Sequence, residues 1–245
     1  MKHPWLIGIG TVVVLLSGWM IHDLTSTERH SLRRFDPHEV ARLETDMWRS
    51  YYDRRRVSLA EELVELLRQQ YHLPFWKSVV GAVHAARAAA VFQDGHNRGE
   101  YERALPDLVS YYQLIHDAGE EPFDVDKTAR LELEWWIVHR ERAQHPRADL
   151  DRSLADLQAA IYQRPSELFA EHASARAEAM LIRDTRQEEG KVTEQDWARI
   201  GALLDASWTS LQAVVGQAAS LLPLDKRPYA SSRRISLVDW KPRDS

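Results

Sequence analysis

Leu131-Glu-Leu-Glu-Trp-Trp-Ile-Val-His-Arg-Glu141 decides the fold class of this 245-residue chain, because its apolar residues recur at helical spacing around most of a circumference. At about 100° per residue, Leu131, Trp135 and Val138 form one stripe, and Ala129, Leu133, Trp136 and Ile137 form a second. Lys127, Arg130, Glu134 and Glu141 gather on the natural solvent face, whereas Thr128, Glu132 and His139 lie between the stripes on the opposite side. This phase puts Glu132 on the buried face with Trp135 and Trp136 flanking it. An unpaired carboxylate there costs several kcal/mol. The reading therefore requires a counter-charge from another helix, with Arg176 the first choice and Arg55 the second.

Outward from this helix the chain punctuates itself. Asp36-Pro37-His38-Glu39 supplies an N-cap, a proline at the first helical position and a glutamate at the third. Ser58-Leu-Ala-Glu61 offers a further start, so 37–70 reads either as two helices or as one that bends near Val57. An alanine-rich helix over Phe75–Gln93 is stopped by Asp94-Gly95. Asn97 with Glu100 opens the next, which carries Tyr101, Leu105, Leu108, Tyr112 and Ile115 on one face and ends at Ala118-Gly119. After the central helix stops at His145-Pro146, helices are expected over about 148–163 and from Arg164-Pro165-Ser166 to Glu189-Gly190. Thr193-Glu-Gln-Asp196 caps the last, whose ridge is Trp197, Ile200, Leu204, Trp208, Leu211 and Val215. With no strand pattern between them, the expected fold is all-α. It is an antiparallel multi-helix bundle of six to eight helices behind a single N-terminal transmembrane helix.

That first segment, Pro4 to Ile21, contains no charged residue and has Trp5 and Trp19 near its two ends, where interfacial aromatics sit. Its length is at the short limit for a span, and a cleaved signal peptide is the alternative. Against cleavage, the stretch after Leu16 reads Ser-Gly-Trp-Met-Ile-His and lacks small residues at the required spacing. Lys2 favours a cytoplasmic N-terminus, while Arg29, Arg33 and Arg34 pull the other way. A long domain translocates regardless of such charges, so the soluble domain is expected on the outer, periplasmic or extracellular, side. The organisation is then 1–30 anchor and juxtamembrane linker, 31–220 helical domain, and 221–245 a mobile C-terminal tail rich in Arg, Ser and Pro.

A formal net charge of −5 with no basic stripe in the folded region excludes a broad nucleic-acid surface. Cys 0 removes disulfides, thiolate metal sites and cysteine nucleophiles. No glutamate has a histidine three residues on, as a di-iron bundle needs, and the P-loop, dinucleotide fingerprint, nucleophile elbow and zinc-protease motifs are missing. No cofactor or metal is expected. The arginine and alanine richness fits a GC-rich bacterial source.

What remains is a set of polar residues on apolar faces. Val40, Met47, Trp48, Tyr51 and Tyr52 define an arc that also holds Glu44 and Arg55, and Phe169, His172, Ala173, Ala179 and Met180 define another with Arg176 at its centre. With Glu132 and His139, three helices aim complementary charges inward. One reading is a structural network of buried pairs. The other is a cavity with aromatic walls, where Arg176 and Arg55 hold an anionic or carbonyl group and Glu132 or Glu44 orients it or moves a proton. His84 and His172 lie beside alanines and read as packed or edge histidines rather than ligands. The expected function is a membrane-anchored interaction or accessory module, with the membrane, a protein partner or a second copy as partners. The alternative is an anchored enzyme or small-molecule or anion binder that uses the interior cluster.

Overall fold

The computed structural model describes residues 4–220, with side-chain surroundings for 11–216, so the tail expected at 221–245 lies outside the described residues. Helix α1 spans Pro4–Thr25 and is followed by α2 (Pro37–Tyr52), α3 (Arg56–Tyr71), α4 (Phe75–Asp94) and the single turn α5 (Arg98–Tyr101). Then come α6 (Leu105–Ala118), α7 (Val125–Arg140), α8 (Arg147–Tyr162), α9 (Ala170–Glu188) and α10 (Glu194–Ser220). The chain is all-α, as expected, with no strand among the described residues beyond an isolated bridge between His30 and Gly119.

Side chains start these helices where the sequence places them. Asp36 accepts from the backbone N–H groups of His38 and Glu39 at 2.9 and 3.3 Å with Pro37 behind it, and Asp124 accepts from Lys127 N at 2.9 Å. Thr193 and Asp196 cap each other: Thr193 Oγ1 accepts from Asp196 N, and Asp196 accepts from Thr193 N. The 37–70 stretch resolves into two helices. The break falls at Asp53–Arg55, where Arg54 takes a left-handed backbone (φ 58°), so α3 begins two residues before the Ser58 box, which goes unused.

The bundle is a closed ring. In order of contact, α2 packs on α3, α3 on α4, α4 on α6, α6 on α7, α7 on α8, α8 on α9, α9 on α10, and α10 returns to α2. Each helix buries its apolar stripe between two neighbours, and the α10 ridge from Trp197 to Val215 is buried along its length. Ser50, fully buried, donates to Glu62 at 2.9 Å and ties α2 to α3.

Helix α1 stands outside this ring and packs against it at the start of α4. Its Val12–Leu16 face is half or more exposed. The transmembrane helix expected here is not supported: among the described residues no helix is long and apolar enough to cross a membrane.

The segment joining α1 to α2 is built into the bundle. Glu121, buried in the α6–α7 loop, accepts from Ser31 Oγ at 3.0 Å, Leu32 N at 2.9 Å and Arg33 Nε at 3.0 Å. Next to it Gly119 has no room for a side chain, since a Cβ would lie 3.0 Å from the Ile115 carbonyl and from Leu32. Replacing Glu121 by alanine leaves a buried N–H and a guanidinium without their acceptor and should cost about 3 kcal/mol, whereas the exposed neighbour Glu120→Ala should stay within about 0.5 kcal/mol. Urea melts of the two variants separate the effects.

Candidate functional site

The polar residues singled out in the sequence divide between the axis of the ring, a second group near it, and the surface. Glu44, on α2, is 1% exposed. Its Oε1 accepts from Arg176 Nη2 at 2.5 Å and Nε at 3.1 Å, and its Oε2 from the Trp208 indole at 2.6 Å. Helices α2, α9 and α10 thus meet at one carboxylate. Burial lowers the proton affinity of the Arg176 guanidinium, but the adjacent Glu44 more than offsets this and holds it above its ordinary value. On its other side the guanidinium lies over the Trp135 ring, 5.3 Å from the centroid.

Glu132 faces inward as expected but does not take Arg176 as its partner, which corrects that pairing. Its carboxylate accepts from Tyr112 Oη at 2.8 Å and from the indole of Trp136, one turn on, at 3.0 Å. Glu132 is only half-buried, so two neutral donors and residual solvent suffice for it, while the fully enclosed Glu44 takes the cation. Glu134, expected at the surface, pairs there with Arg98 at 2.9 Å.

Burial raises the phenols of Tyr71, Tyr111 and Tyr112 well above their ordinary range, and the nearby Glu132 carboxylate adds to this. Tyr71 and Tyr111 carry the signature of this centre as clearly as the acids do, yet sequence reading missed them. Tyr71 ends a helix whose apolar pattern is weak, and Tyr111 stands beside the more obvious Tyr112.

A second polar group links α2, α7 and α9 about two turns along α9. His139 Nε2 is 3.0 Å from Asp184 Oδ2, at an angle poor for a hydrogen bond. Burial pushes the Asp184 carboxyl up, but His139, Arg183 and Arg142 outweigh it and hold it below its usual value. Arg183 in turn lies over the Tyr52 ring, whose phenol is pushed up to about 12 chiefly by burial.

Arg55 and Tyr51 do not belong to the centre. Arg55 is half-exposed and lies 3.7 Å from Asp53, because α2 stops at Tyr52 and the phase that carried Arg55 inward ends with it. Tyr51, in the last turn, is 45% exposed and packs edge-on against Tyr52 at 5.0 Å. Trp48 is half-buried against the core. His84 on α4 pairs with Asp107 of α6 at 2.8 Å, and both are part-buried. His172 is buried, with Nδ1 3.1 Å from the Ser207 carbonyl and 2.8 Å from its hydroxyl.

Two surface openings lie elsewhere. A groove of about 510 Å³ between the α9 and α10 surfaces is lined by mutually paired charges such as Arg199–Glu178 and Arg186–Asp196. A cleft of about 160 Å³ beside it is bordered by Arg142, His145 and Leu150. Neither is lined by Glu44, Glu132 or Arg176. Among the described residues no group of three or more His, Asp or Glu is placed to hold a metal ion. No protein-family model matches this chain, and no curated protein or solved structure matches it either.

Glu44→Ala strands Arg176 in the interior and should cost on the order of 3–5 kcal/mol, part of which a second change, Arg176→Met, should restore. Glu132→Ala loses two neutral donors and should cost about 1–2 kcal/mol, against about 0.5 kcal/mol or less for Glu134→Ala. Denaturant melts of the five proteins, wild type included, check this order.

Burial lowers the His172 imidazole from 6.5 to about 3, and the Arg176 charge adds to the effect. The unfolded chain therefore takes up a proton that the native state refuses. Stability is unaffected by this group above pH about 6.5 and falls below it, by up to about 1.4 kcal/mol per pH unit. His38 works in the opposite sense, its bond to Asp205 raising its value, so the comparison must isolate His172. Urea melts at about pH 7 and about pH 5 should show a larger loss for wild type than for His172→Asn. Parallel losses would assign the acid sensitivity to other groups.

Proposed function

We propose that this chain is a helical interaction or accessory module held at a membrane by α1. The observation that carries this reading is the bare apolar surface of α1, where Val12, Val13, Val14, Leu15, Leu16 and Ile21 are between 50% and 70% exposed. An exposed apolar surface that runs round a helix in this way is unfavourable in water and marks a membrane or partner surface. The described side chains fall short of a span by themselves. Support for a single crossing comes from the sequence, in which the charge-free run continues back to Pro4. At 1.5 Å per residue the run from 4 to 21 extends about 27 Å, close to the roughly 30 Å of a hydrocarbon core. The bundle then lies on the outer side.

The interior cluster supports a module over a small-molecule binder. Glu44, Arg176 and Trp208 satisfy one another, and neither the α9–α10 groove nor the cleft beside it is lined by them. Protein partners or a second copy are the proposed binding partners. Carbonate at high pH should leave the protein in the membrane pellet, and its mature N-terminus should lie at or near Met1. A mature chain that begins after residue 18 would sink the anchor. Repeated recovery of the protein alone and monomeric from detergent extracts would count against the module.

A further inference from the structure

The junction between α1 and the ring is not a free hinge. Helix α4 begins after Pro74 and has no side-chain cap of its own. Asp23 supplies one from α1: its Oδ2 accepts from Trp76 N at 3.2 Å, and the residue is buried. A carboxylate at a helix N-terminus is held by both the free N–H groups and the helix dipole. Lys77, also buried, donates from Nζ to the Ser26 carbonyl at 2.5 Å. Above these contacts Trp19 stacks on Phe75 with centroids 5.4 Å apart and meets the edge of Trp76 at 5.6 Å. Phe75 and Trp76 are themselves edge-on at 5.2 Å.

Three aromatic rings therefore stand at one level, two of them on the ring of helices and one at the foot of the apolar face of α1. In the sequence that level is the boundary where the charge-free run gives way to His22 and Asp23. Tryptophan at such a boundary favours the interfacial layer of a bilayer. The Asp23 cap and the Lys77 contact, both below the stack, fix α1 against α4, so insertion of one carries the other to a defined depth.

We propose that Trp19, Phe75 and Trp76 form an aromatic shelf that beds in the interfacial layer of a phospholipid bilayer. The bundle then rests on the membrane by the α4 end in one orientation and does not swing from α1 as from a tether. This rests on the reading of α1 as a membrane anchor.

The absence of cysteine makes the test direct, since single cysteines can carry nitroxide labels in the otherwise intact chain. Three positions serve: His22→Cys, 82% exposed on α1; Phe75→Cys on the shelf; and Val57→Cys, 74% exposed at the opposite end of α3 from α4. The labelled proteins are reconstituted in phosphatidylcholine vesicles and floated, and collision with a water-soluble nickel chelate is measured. The shelf requires a severalfold loss of collision at both 22 and 75 relative to 57. Protection at 22 with position 75 as open as 57 would overturn the shelf and leave the anchor standing. A chain that fails to float with vesicles would overturn both. Should the label at 75 unfold the bundle, quenching of tryptophan emission by lipids brominated near the headgroup reads the same contact. The quenched share must fall in Trp76→Phe, and an unchanged share overturns the shelf.

Discussion

Three donors from two helices converge on the Glu44 carboxylate, and the rest of the bundle is arranged so that they can. Helices α2 and α9 are not backbone neighbours in the ring; α10 lies between them. The Arg176 side chain bridges the gap, and the Trp208 indole from the intervening helix completes the carboxylate. Net gain in stability is the weaker part of what such a pair offers, because both charges must be desolvated to form it. Its stronger effect is exclusion. A rotation of α9 or α10 by one residue would leave a buried charge with no partner, so only one register of the three helices is tolerable.

Long and planar side chains gather between these helices: Arg176, Glu132, Trp135, Trp136, Tyr112 and Tyr71, each from a helix that also buries an aliphatic stripe against its neighbours. Arg176 lies against Trp135, and Glu132 takes its hydrogen bonds from Tyr112 and Trp136. A second group around Asp184 repeats the arrangement further along α9.

Much of this was legible before the structure. Caps at Asp36 and Thr193, the ridge of α10 and the inward phase of Glu132, Glu44 and Arg176 all follow from local rules of spacing and capping, which act within a turn or two. Arg55 shows where such rules fail. Its phase was sound only while the helix continued, and a three-residue break at Asp53–Arg55 erased it. The partner of Arg176 was not legible either. Periodicity says that a side chain points inward, but the choice between Glu44 and Glu132 depends on which carboxylate is more completely enclosed, a property of eight helices at once. The binding of Glu121 to residues 31–33 spans about ninety positions and leaves no local mark.

Seven of the eight contacts around the ring join helices adjacent along the chain, apart from the single turn of α5, but the eighth does not. The seam between α10 and α2 joins the two ends of the helical series, and the bond from Trp208 to Glu44 bridges 164 positions of sequence. Closing a loop of that length is entropically the most expensive step, and no local contact prepares it. Docking of α10 on α2 is what encloses the Glu44–Arg176 pair, so the dryness of that pair and the closure of the ring are one event at this seam.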